Sequence, residues 1–222
     1  MAIEVETKDC TQLSDAELAE MADICAEGPS RFEAGLLSKQ AELWVLITLA
    51  RESGKLKGFS YSTLERIGGT PCVLLGMMSV KRSSKREQIL KNLMAEAFHR
   101  ALMAFPDEDV VVGTRMVTAD ALDGFKHIDE IIPRASHRAV GEERAWGRRL
   151  AKRFAVESGY DEQSFVVKTN GQSGFLDHVA LKPDKVKPEH AALFSGVQPA
   201  KGGALIVHGW VMAEDLVKLG AR

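Results

Sequence analysis

Apolar and polar positions along the chain divide it into short, regularly patterned segments. Residues 2–8 (AIEVETK) alternate apolar and polar, the two-residue period of a strand. Ser14 then opens a helix. Ser14 and Glu17 have capping-box spacing, Leu13 precedes the cap as a hydrophobic staple, and Leu18, Met21, Ala22 and Cys25 fall on one face. Gly28 and Pro29 end that helix, and a second short helix is expected over Arg31–Lys39. Three β segments follow: Glu42–Ala50, Phe59–Ile67 and Cys72–Val80. Gly54 and the Gly68-Gly69 pair supply the turns, so Glu42–Val80 reads as an antiparallel meander.

After Val80 the period changes. Ile89, Leu90, Leu93, Met94, Ala97, Phe98 and Leu102 form a core-facing stripe on a helix over about 87–103, closed by Pro106. Asp109–Val117 is a continuous apolar run of the kind found in a central strand. A short helix is expected over Ala119–Ile128, a loop over Pro133–His137 and a basic helix over Gly141–Phe154. Ser164–Lys168 suits a strand, Thr169–Gly203 is turn-rich, and a last strand (Gly203–Trp210) and helix close the chain.

Composition adds the class. The 222 residues are 45% hydrophobic and 27% charged with a formal net charge of −2, which suits a soluble globular domain and not a polycation. No apolar run spans a bilayer, and the N-terminus lacks the basic and apolar regions of a secretory signal, so no membrane partner and a cytoplasmic location are expected. Cys10, Cys25 and Cys72 are odd in number and without CxxC spacing, as in a reducing compartment. The six histidines show no i,i+4 pair and no HExxH, so no metal is expected.

The densest chemical signal lies between the third meander strand and the following helix. Lys81, Arg82, Lys85 and Arg86 surround Ser83 and Ser84 where a strand feeds a helix, and helix N–H groups point into such a loop. An anion, phosphate above all, suits it; a solvated connection is the alternative. Cys72 lies in an apolar strand and reads as a buried, inert thiol. Arg134–Arg153 is a second cationic stretch. It is either the solvated face of an amphipathic helix carrying Trp146, Leu150 and Phe154, or a surface for nucleic acid, against which the overall acidic balance argues.

The order strand, two helices, three-stranded meander, helix, strand, helix, strand resembles that of the GNAT acyltransferase superfamily over roughly residues 2–128. The family's pyrophosphate loop has the form V-x-P-x-x-[QR]-x-x-G-x-[GA]. Here Val80 matches the leading Val and Lys85 the Gln/Arg position, while Arg82 replaces Pro, and Gln88 and Leu90 replace the small residues. The resemblance implies an α/β fold with a mixed, mostly antiparallel central sheet and helices on both faces. It implies a domain over 1–170 and an extension over 171–222 packed on it.

It also implies an acyl-CoA-dependent N-acyltransferase, with acetyl-CoA as co-substrate and no metal, acting by direct attack of a small-molecule or protein amine. Met78, Ser79 and Val80 would orient the thioester carbonyl. Lys81, Arg82, Lys85, Arg86, Glu87 and Gln88 would hold the pyrophosphate. No catalytic acid or base is assigned: the tyrosines are Tyr61 and Tyr160 alone, Phe125 stands where the family's acidic Tyr is usual, and Glu65 and His127 read more readily as surface residues. The alternatives are an inactive GNAT-like binding or regulatory protein and a nucleic-acid-associated protein using helix 141–154. The oligomeric state stays open, a homodimer included.

Overall fold

The computed structural model describes residues 2–27, 32–168 and 186–220. Seven strands form one sheet: β1 (Ile3–Asp9), β2 (Leu46–Glu52), β3 (Lys55–Ile67), β4 (Thr70–Val80), β5 (Val110–Met116), β6 (Val166–Val167) and β7 (Ala204–Val211), in the spatial order β1-β2-β3-β4-β5-β7-β6. All neighbours are antiparallel except β4 and β5. The helices are α1 (Asp15–Cys25), α2 (Ala34–Ala41), α3 (Arg86–Ala104), α4 (Gly141–Arg153), α5 (Pro188–Leu193) and α6 (Ala213–Leu219).

The sheet divides the core in two. On one face α3 and α6 cover Val73, Leu75, Val110 and Val112. On the other α1, α2 and α4 cover Ile47, Leu74, Val111 and Ile206. This two-sided coverage explains why β4 and β5 are buried at almost every position and largely apolar, where a one-sided strand would alternate. Glycine lets helices approach closely: a Cβ on Gly58 would lie 2.7 Å from Ile89 of α3, and one on Gly113 would lie 2.8 Å from Leu150 of α4.

Most elements stand where the pattern put them. The capping box is complete, with Ser14 Oγ accepting the Glu17 N–H at 3.3 Å and Glu17 Oε2 accepting the Ser14 N–H at 2.9 Å. Against the expected strand from Glu42, β2 begins at Leu46: residues 42–45 form the turn out of α2, and Trp44 folds onto the sheet instead of joining it. The helix expected over Ala119–Ile128 is a 3₁₀ segment, Ala119–Phe125. Leu102 on α3 is half-buried, and Ala101 and Glu96 join the buried stripe. The strand around Ser164–Lys168 shortens to two residues. Gly28, Pro29, Arg31 and residues 169–185 of the turn-rich stretch lie outside the described residues. Within 171–222, β7 is inserted between β5 and β6 as an integral strand of the sheet.

Candidate active site

β4 and β5 are parallel, yet they pair along three rungs only: Cys72, Val73 and Leu74 opposite Val111, Val112 and Gly113. Beyond these the two strands diverge. β4 carries a bulge here, since Ser60 of β3 opposes Met78 while Ser62 opposes Leu75. At the next position the buried Thr114 hydroxyl donates to Leu75 O at 2.9 Å, satisfying a carbonyl that has lost its strand partner.

The alternation of antiparallel hydrogen bonds fixes what lines the gap. Lys81 N–H donates to Lys57 O at 2.8 Å, so Lys81 and Ser79 turn their backbone groups toward β3. Met78 and Val80 therefore turn theirs away from β3, into the space β5 has vacated. Of the three residues singled out on β4, two present main-chain donors and acceptors to the gap and Ser79 does not.

The cationic loop follows directly. Ser83 organises it: its Oγ accepts the Lys85 N–H at 3.3 Å, and its carbonyl accepts the Arg86 N–H at 3.2 Å and the Arg86 guanidinium at 3.1 Å. Lys81 pairs with Glu27 at 3.2 Å, and Lys85 pairs with Glu52 on β2. Arg82 is exposed. With Arg86 it acts on Asp120, whose pKa burial raises while the two guanidinium groups pull it down. The N-cap residue of α3, Lys85, makes no side-chain capping hydrogen bond among the described residues. Gln88 is exposed and donates to Asn92 Oδ1 at 2.8 Å, whereas Leu90 is buried against Gly124 and the apolar core. Glu87, also exposed, opens the first turn of α3.

On the opposite face of the gap lies a group the sequence pattern does not reveal. Trp44 covers Gly76 of β4, Phe154 stands 6.4 Å from Trp44, and Arg115 of β5 places its guanidinium 4.9 Å from the Phe154 ring centroid. These side chains bridge the diverging strands on the α4 face. Burial lowers the Arg115 pKa to about 10. The signal that could have located Trp44 is a single tryptophan between a short helix and a strand, which has no periodicity to read.

The remaining candidates stand apart. Glu65 is held by Arg153 of α4 at 2.6 and 3.0 Å, and His127 is exposed in the loop after the 3₁₀ segment. Tyr61 donates to Leu37 O at 2.9 Å, and burial raises its pKa. Cys72 is fully buried, and burial pushes its thiol up to about 11. The basic helix is largely internally paired: Arg153 with Glu65, Arg148 with Glu162, and Arg149 over the Trp146 ring at 4.9 Å.

No family model and no curated protein matches the chain. Solved structures similar to it include an aminoglycoside 6'-acetyltransferase type Ii, at 15% identity over 60% of this chain and 88% of that one with a TM-score of 0.43. Escherichia coli ElaA is 16% identical over 63% and 95%, with a TM-score of 0.40. A Bacillus subtilis acetyltransferase in complex with CoA is 18% identical over 59% and 80%, with a TM-score of 0.41. The fold is GNAT-like on its own topology: a three-stranded meander, a helix, and a parallel strand that splays from the meander's last strand.

Proposed function

We propose that the gap between β4 and β5 binds an acyl-CoA and that the protein transfers the acyl group to an amine, with acetyl-CoA the donor. One observation carries this reading: the main-chain groups of Met78 and Val80 face the gap, next to a loop of four cations at the start of α3. The donor set suits a thioester joined to a pyrophosphate. Met78 and Val80 N–H groups would hold the thioester carbonyl and the amide arm, and Arg82 and Arg86 the phosphates. In the reaction the amine nitrogen bonds to the carbonyl carbon, the C–S bond breaks, and the proton lost by the amine ends on the CoA thiolate or in water.

A second reading rests on Trp44. Its bridge with Phe154 and Arg115 across the α4 face of the gap, and the commitment of the Tyr61 hydroxyl to Leu37, favour a GNAT-like module that binds CoA without transfer. Calorimetry with acetyl-CoA and desulfo-CoA tests the site common to both. Release of free CoA thiol in the presence of a panel of amines separates them. Saturable acetyl-CoA binding with amine-dependent thiol release is the expected result; binding without release leaves the module, and no binding removes both.

A further inference from the structure

A cleft of about 610 Å³ lies at the other end of β7, between that strand, the start of α4 and the loop after the 3₁₀ segment. Trp210, at its wall, pairs with Val111, two rungs before Gly113, where β4 and β5 part; the cleft lies on the side of that rung away from the splay.

Its lining is one-sided in charge. Asp129, Glu130, Glu142, Glu143 and Asp215 contribute five carboxylates, and no lysine or arginine lines it among the described residues. Three carboxylates have partners: Glu143 with His137 at 2.9 Å, Glu130 with Arg134 at 3.9 Å and Asp215 with Lys218 at 2.7 Å. Asp129 and Glu142 are exposed and make no ion pair among the described residues.

Two further observations point to a ligand. Trp210 is 40% exposed, held edge-on by the buried Trp146 at 5.9 Å and 90°, so its ring is a fixed aromatic surface facing solvent. Exposed Met212 and Val140 flank it. His208 lines the cleft at 2% exposure, and its Nδ1 has no hydrogen-bond partner. His208 exchanges backbone bonds with Ile132 at 2.7 and 2.9 Å, which places the outward N–H and C=O of Trp210 just past the last paired residue on this edge.

We propose that this cleft is a second binding site and that it takes a guanidinium group on an apolar stem. A planar guanidinium pairs two donors with one carboxylate and stacks on an indole face, which an ammonium does less well. Unpaired Asp129 and Glu142 supply the charge, Trp210 the stacking face, and Met212 with Val140 the surface for the stem. The sheet beneath adds no opposing charge, because burial keeps His208 neutral at pH 7, its pKa lowered to about 4.

The test is calorimetry on the full chain with three probes: agmatine, an end-blocked Gly-Arg-Gly tripeptide and the matching Gly-Lys-Gly tripeptide. The ¹H–¹⁵N signal of the Trp210 indole reports location. Saturable binding of agmatine or the arginine tripeptide, at least about fivefold tighter than the lysine tripeptide and moving the Trp210 signal, is expected. The tighter of the two guanidinium probes identifies a free small molecule or a peptide as the source. The double variant Asp129→Asn/Glu142→Gln, both on the surface, should weaken binding about tenfold with an unchanged unfolding midpoint, and Trp210→Leu should weaken it as well. No saturable binding of either guanidinium probe, equal binding of the lysine tripeptide, or full affinity in the double variant overturns the proposal.

Discussion

Trp44 lies so close to Gly76 that a Cβ on the glycine would fall 2.3 Å from the indole Cε2. The glycine is thus the seat of the indole. Gly76→Ala should expel Trp44 from the bridge it forms with Phe154. We expect a loss of about 1–3 kcal/mol from overpacking a dense core, read by urea unfolding. If the displaced indole had been blocking the gap, acetyl-CoA binding in Gly76→Ala should be tighter than in the parent; an unchanged affinity would show that Trp44 does not gate it.

Thr114 tests the splay itself. Its hydroxyl is the donor for Leu75 O at a buried position. Thr114→Val keeps the shape, removes the donor and leaves a buried carbonyl unsatisfied, so a loss of about 1–3 kcal/mol is expected. Thr114→Ser should retain most of the stability, and a stable Thr114→Val would mean that the carbonyl finds another donor.

The loop and the helix beside it separate by burial. Arg82→Ala/Arg86→Ala should weaken acetyl-CoA binding at least about tenfold, roughly 1.4 kcal/mol, with the fold intact. Gln88→Gly at an exposed position should cost about 1 kcal/mol or less. Leu90→Ala, in contrast, removes a fully packed side chain and should cost about 2–5 kcal/mol. Equal stability of the Gln88 and Leu90 variants would mean that the register of α3 is different.

Much of this is legible in the sequence. The α3 stripe, the Ser14–Glu17 box and the meander are local patterns, set by residues within one or two turns of each other. The cationic loop was legible because charge is written residue by residue. Trp44 was not, because its place is decided by Gly76 and Phe154, 32 and 110 positions away. The pattern around residues 42–50 reads as one strand, yet the tertiary fit of an indole on a glycine outweighs the strand propensity of Trp44 and Val45. The acidic cleft was missed for a related reason. Asp129, Glu142 and Trp210 come from three segments that the Ile132–His208 bridge and the Trp146–Trp210 contact bring together.

His208 makes stability depend on pH. Burial lowers its pKa from an ordinary 6.5 to about 4, so below pH 6.5 the unfolded chain takes up a proton that the folded chain refuses. The contribution is present above pH 6.5 and is lost as pH falls through about 4. It amounts to about 3 kcal/mol at full loss, measured as the difference between urea unfolding at pH 7 and pH 4. His208→Asn should lose less stability across that range, and an identical pH slope in parent and variant would place the acid sensitivity in another group.

Mechanically, the three-rung parallel seam between β4 and β5 joins two leaves, β1–β4 and β5–β7, whose own strands are held by antiparallel ladders. A seam that short concentrates shear at one line, as a fold line does in a stiff card. Amides along Cys72–Leu74 and Val111–Gly113 should therefore exchange with solvent deuterium as one cooperative unit, ahead of the interiors of either leaf. Any ligand that wedges between the leaves would register in the protection of those amides before it registered anywhere else.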